Sequence, residues 1–124
     1  MGISIRDSSG SDVRTGSSTS SDPDKADSLA DYAWFLENVR RDYDRAEALY
    51  ERAITADPNH ARSLGNYARF LNDVRRDYDR AEAMYERAIA ADPNHARSLG
   101  NYANFLWIVR RDYDRAEEIG RAHV

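Results

Sequence analysis

The sequence predicts an all-α fold: an α-solenoid of antiparallel helix hairpins, between two and a half and three repeats long, behind a disordered N-terminal tail. Three observations predict it. The chain repeats itself every 35 residues: Asp-Pro stands at 22–23, 57–58 and 92–93, and Arg-Arg-Asp-Tyr-Asp-Arg-Ala-Glu at 40–47, 75–82 and 110–117. Inside each unit, apolar residues follow the i, i+3, i+4, i+7 spacing of one helix face, as in Leu64, Tyr67, Ala68 and Leu71. No unit can bury that face alone, so neighbours must stack.

Residues 1–21 carry Ser8-Ser9-Gly10-Ser11 and Gly16-Ser17-Ser18-Thr19-Ser20-Ser21 without helical or strand periodicity. Such a segment buries too little apolar surface to offset its ordering entropy, and disorder is expected. The repeat domain then spans 22–124 as units 22–56, 57–91 and 92–124, the last truncated.

Each unit reads as two helices. The aspartate of Asp57-Pro58 is placed to cap the first, with Pro58 in a first turn that has no use for its missing N–H. First helices are expected over 23–38, 58–73 and 93–108, with a turn near Asp73–Arg76. Asp77 is a natural cap for the second helix, whose apolar face is Tyr78, Ala81, Tyr85, Ala88 and Ile89. Second helices are expected over 42–55, 77–90 and 112 to about 120. Asp92-Pro93 ends the middle one, since a proline ring disfavours helical geometry at the residue before it.

Small and large residues at these offsets, ending in Asp-Pro, resemble the tetratricopeptide repeat over about residues 22–118. The match runs through Leu64, Tyr67, Ala68, Leu71, Tyr78, Ala81, Tyr85, Ala88 and Pro93. The resemblance implies a superhelix whose concave side holds a protein or peptide. Two features depart from the family: a period of 35 where 34 is usual, and Leu64 in place of a frequent tryptophan. The extra residue is expected in the turn between the helices. The family's carboxylate-clamp members grip C-terminal acids. Here Asn66 and Arg97 match two clamp places, but Ala30 and Trp34 occupy the places of its first Lys and Asn, so that ligand is not expected.

The third unit follows the second through Glu117 and then diverges to Glu118-Ile119-Gly120-Arg121-Ala122-His123-Val124, with Gly120 where a packing tyrosine belongs. This heptapeptide resembles a translation of a common short-read sequencing adapter, and the array is expected to be longer than this chain. An uncapped third unit is also expected to self-associate around Trp107 and Ile108.

Composition narrows the function classes. A net charge of −4 gives no electrostatic reason to bind nucleic acid, and the absence of cysteine removes thiol chemistry and disulfides. No apolar run approaches membrane-spanning length, and residues 1–14 lack a secretory core, so an intracellular, cytoplasmic location is expected. There is no glycine-rich phosphate loop, metalloprotease motif or nucleophile elbow. His60 and His95 fall in successive units, about one helix-packing distance apart, too far to share a metal. Ser63 and Ser98 read as helix-surface residues. Asp42, Asp44, Glu47 and Glu51 read as partners of Arg45 and Arg52 within one helix. The Arg-Arg pairs at 40–41, 75–76 and 110–111 would line one edge, where the following Asp-x-Asp offsets their charge. No enzyme activity, cofactor or metal is expected.

Between nearly identical units, the positions that change point to function. Residues 56–82 and 91–117 differ only at Arg69/Asn104, Asn72/Trp107 and Asp73/Ile108, and the first unit adds Trp34, Glu37 and Asn38 at the same places. Their i, i+3, i+4 spacing makes one stripe. By resemblance, that stripe lines the concave groove, making these nine residues the candidate partner-binding set. The alternatives are an RNA-processing scaffold, suggested by Tyr50-Glu51-Arg52-Ala53-Ile54, or the repeat portion of a longer multidomain protein.

Overall fold

The computed structural model describes residues 23–123. They form three hairpins: α1 (Pro23–Phe35) with α2 (Tyr43–Ala56), α3 (Ala61–Phe70) with α4 (Tyr78–Ala91), and α5 (Ala96–Phe105) with α6 (Tyr113–His123). There is no strand among them. The helix faces expected from spacing are the buried ones: Leu64, Tyr67, Ala68 and Leu71 on α3, and Ala81, Tyr85 and Ala88 on α4, with Tyr78 and Ile89 half-buried at its margin.

Each first helix runs into a five-residue π-helical turn, Leu36–Arg40, Leu71–Arg75 and Leu106–Arg110. A π turn takes up more residues than an α turn, and the residue beyond the usual period is accommodated here. The Leu36 carbonyl accepts from the N–H groups of both Arg41 and Asp42, and Leu71 and Leu106 do the same one and two units on. Closing the turn this way forces Arg41, Arg76 and Arg111 into left-handed backbone geometry, with φ of 56°, 57° and 58°. Asp77 and Asp112 then cap α4 and α6 by accepting the N–H groups of Arg80 and Arg115. Asp42 makes no such side-chain cap and instead faces Arg45 at 3.4 Å.

Two expectations about the unit boundary are corrected. Only the first unit's helix starts at its proline; α3 and α5 start at Ala61 and Ala96, not at 58 and 93. Asp57 ends α2, its N–H bonded to the Ala53 carbonyl, and its carboxylate accepts the Asn59 N–H in a tight turn. His60 then adopts extended geometry (ψ 97°), which prevents the Pro58 turn from continuing as helix. Its ring is held by Ser63 Oγ at 2.6 Å and Asp27 Oδ1 at 2.7 Å. Ser63 and Ser98 are therefore not surface serines. Both are fully buried, each bonded to the histidine three residues earlier.

The units stack by one repeated operation. Tyr43 meets Phe70 with ring centroids 6.4 Å apart, and Tyr78 meets Phe105 at 6.5 Å. Gly65 lets α3 approach α5 closely, since a Cβ there would collide with the Ser98 side chain.

A non-glycine residue held left-handed costs about 1 kcal/mol, and helices often terminate with glycine in this geometry. Arg76→Gly is expected to stabilise the fold by about 0.5–1 kcal/mol, seen as a rise of several degrees in the melting temperature; an unchanged or lower value would contradict the strain.

Candidate functional site

The variable stripe begins on α1, α3 and α5 with Trp34, Arg69 and Asn104 and continues into the π turns that follow them, and the structure gives its residues different settings. Glu37 lies beneath the surface, 4% exposed. It accepts a hydrogen bond from the Tyr50 hydroxyl at 2.8 Å, and its two oxygens take both Arg69 terminal nitrogens at 2.8 Å each. Burial and the Glu37 charge push the Tyr50 hydroxyl far above its usual range, so it stays a donor. Asn38 bonds back to the Trp34 carbonyl.

Arg69, Asn72, Asp73, Asn104 and Ile108 come together with Asn101 and Tyr85 around a hollow of about 260 Å³ between α3 and α5. One unit on from Glu37 and Arg69 stand Asn72 and Asn104, so the ion pair is not repeated. The buried Tyr85 hydroxyl, the counterpart of Tyr50, has no hydrogen-bond partner among the described residues and lines this hollow. Beside it, Trp34, half exposed, borders a second hollow of about 330 Å³ with Asp31, Arg62, Asn66 and Arg97. The two hollows are neighbours along the same helices, because Asn66 and Arg69, like Arg97 and Asn101, are three or four residues apart.

Trp107 stands apart from them. It stacks edge-on against Tyr113 at 4.7 Å and borders a third hollow, of about 470 Å³, between α5 and α6.

Sequence spacing missed the pairing of the charges. Arg75 does not form a basic edge: it donates to Asp44 at 2.7 Å and Glu47 at 2.9 Å in the preceding unit and lies over the Phe70 ring. Arg110 repeats this with Asp79 and Glu82. The carboxylates on α2 and α4 thus serve the next unit rather than their own helix. Their recurrence 28 and 31 residues before each first arginine was the available signal.

The described residues hold no group of three or more histidine, aspartate or glutamate side chains placed to share a metal ion. Nor is any described helix long and apolar enough to cross a membrane.

A stacked array of paired helices whose first helices pack on one another defines a helical-repeat solenoid. Three family models described as tetratricopeptide repeat match the chain, over residues 22–62, 49–83 and 74–124. The chain belongs to the tetratricopeptide repeat family, whose members generally serve as non-catalytic protein–protein interaction modules. A search of curated proteins found no match.

Removing one partner of a buried ion pair leaves the other charge uncompensated. Arg69→Met is expected to lower stability by about 2–3 kcal/mol, with Glu37→Leu added to it restoring much of the loss; a thermal melt of single and double variants checks this. The two histidines differ as well. His60 bonds Asp27, and no such carboxylate bonds the His95 ring among the described residues; burial lowers the His95 imidazole below its usual value, with Arg97, His60 and Arg62 adding to the effect against Asp92. A depressed folded value means stability present above about pH 6.5 and lost as pH falls below it. His95→Gln is expected to shrink the drop in melting temperature between pH 7.5 and 5.5.

Proposed function

We propose that this chain is a non-catalytic scaffold that holds an extended peptide segment of a partner protein along the surface of α1, α3 and α5. The observation that carries this reading is the unspent polar chemistry of the two adjoining hollows. Elsewhere in the array the polar groups between units satisfy one another; here the Tyr85 hydroxyl and the Asn66 side chain have no hydrogen-bond partner among the described residues, though both residues are buried. Buried polar groups ordinarily find partners. A peptide backbone supplies N–H and C=O groups at regular spacing, which suits a row of asparagines better than a single charge would.

The flanking residues define the rest of the preference. Trp34 offers a large exposed ring beside the Arg97 guanidinium, a setting for an apolar side chain next to an acidic one. At the other end Ile108 and Val109 give the second hollow an apolar wall. Arg69 is already committed to Glu37 and Asp73, so it adds shape rather than free charge.

The test is a selection of random peptides displayed against residues 1–124, followed by calorimetric titration of the enriched sequences. Enriched peptides are expected to lose at least about tenfold in affinity with Trp34→Ala and with Arg97→Glu. Arg52→Ala, on the exposed side of α2, should leave binding unchanged. No enrichment, or binding indifferent to Trp34 and Arg97, overturns the reading.

A further inference from the structure

The outer faces of the first and third described units are complementary, and we propose that the chain associates head to tail with a second copy of itself, unit 3 of one copy receiving unit 1 of the next. The argument is one of register. The arginine–carboxylate and tyrosine–phenylalanine contacts between units recur at fixed offsets in the sequence, at both junctions within the chain and with nearly the same geometry. Applying the same operation once more carries unit 3 onto a fourth position, and a second copy shifted by three periods of 35 places its unit 1 there.

Consider what then meets. Arg75 reaches back to Asp44 and Glu47, and Arg110 to Asp79 and Glu82. Asp114 and Glu117 offer the same pair of carboxylates on the outer side of α6. At the other end Arg40 lies over the Phe35 ring at 5.5 Å, as Arg75 and Arg110 lie over Phe70 and Phe105 at 5.4 Å. It is already in the receiving posture, and among the described residues no carboxylate is placed against it. The aromatic pairs follow suit. Tyr43 meets Phe70 and Tyr78 meets Phe105; Tyr113 is left 46% exposed, and Phe35 is the ring that the register brings to it.

The variable stripe supplies the strongest match. The residue facing Glu37 is Arg69, 32 positions later, and Asn72 and Asn104, separated by the same interval, line one hollow. The third member of this series is Trp107, and its counterpart by the same interval is Trp34 of a second copy. The two tryptophans are 56% and 45% exposed in a single chain. A charged pair, an amide pair and an indole pair would thus occupy equivalent places, each matched in kind. Head-to-tail contacts are heterologous and leave one unused face at each end of a dimer, so assembly should continue beyond it.

Two positions weaken the new junction relative to the internal ones. Gly120 replaces the tyrosine that stacks on Tyr67 and Tyr102 at 5.9 Å and 5.3 Å, and open space surrounds it. Arg121 stands where Glu51 and Glu86 accept from the next unit. Association is therefore weaker than stacking within the chain and depends on concentration.

The experiment uses two variants that each spoil one end and lie outside the peptide surface: Arg40→Glu, and Glu117→Arg. Sedimentation velocity over roughly 10 μM to 1 mM is expected to show wild-type mass rising past the dimer. Each variant alone should remain monomeric with an unchanged circular dichroism spectrum. An equimolar mixture should regain association, because the intact tail of Arg40→Glu fits the intact head of Glu117→Arg and the two exchanged charges oppose each other at the other junction. A wild-type chain that stays monomeric at 1 mM overturns the proposal. So does a closed dimer, or association that survives either single variant, which would identify a symmetric interface or a different occupant of these faces. Trp34 belongs to both surfaces, so peptide capture by α1, α3 and α5 is scored separately, at concentrations below those at which copies associate.

Discussion

The array depends on how a tyrosine hydroxyl is satisfied at each boundary between units. Tyr67 is buried where α3 packs on α2, because its ring completes the apolar layer with Tyr50 and Phe70. Its hydroxyl cannot be left bare there. It donates to Glu47 at 2.7 Å, with Glu51 as a second acceptor at 3.1 Å, and accepts from Arg80 at 2.7 Å. Glu47 also takes Arg75. Tyr102, Glu82, Glu86, Arg110 and Arg115 build the same arrangement one unit on. Burial and the adjacent carboxylates push both tyrosines well above the ordinary range, so the hydroxyls remain protonated donors. The repeated string Arg-Arg-Asp-Tyr-Asp-Arg-Ala-Glu is thereby explained. Its first and sixth residues are the arginines that reach the preceding unit, and its fifth and eighth are the carboxylates that receive the following one.

From this follows a division of labour between the faces of each hairpin. Second helices carry the junction chemistry and are nearly invariant between the first two units and as far as Glu117 in the third. First helices carry the close approach, through Gly65 against Ser98, and leave their remaining face open to vary. The first junction spends that freedom on itself, since Glu37, Arg69 and Tyr50 form a closed network. At the second junction Asn72 and Asn104 replace the ion pair, the network opens, and Tyr85 loses the partner that Tyr50 has. Two junctions with the same backbone geometry therefore differ in what they can offer a ligand.

Much of the fold was legible because periodicity and punctuation are local. The 3.6-residue spacing placed the buried faces of α3 and α4, and Asp77 announced its cap. What escaped the sequence was set by backbone detail and by contacts between units. Asp57-Pro58-Asn59 reads as a helix start because an aspartate before a proline is a good cap. In the structure the cap-like bond to Asn59 forms, and yet His60 turns the chain out of helix, held by Ser63 and Asp27. Nothing within four residues reports on Asp27. The same blindness made Asp44 and Glu47 look like partners of their own helix. Coulomb attraction at short sequence distance is easy to propose, whereas Arg75 reaches them only after the units have stacked.

The stripe shows the limit most clearly. Helical spacing puts Trp34, Glu37 and Asn38 on one face, and they do share one; but a face is not an environment. Glu37 is covered because Arg69 on the neighbouring helix lies over it, Trp34 stays half open beside Arg97, and Trp107 packs edge-on against Tyr113 of its own unit. One position thus yields a buried ion pair, a hollow's rim and an exposed indole in three consecutive units. In a repeat array the meaning of a residue is fixed by the unit that follows it, so the end units are where identical chemistry acquires a different use.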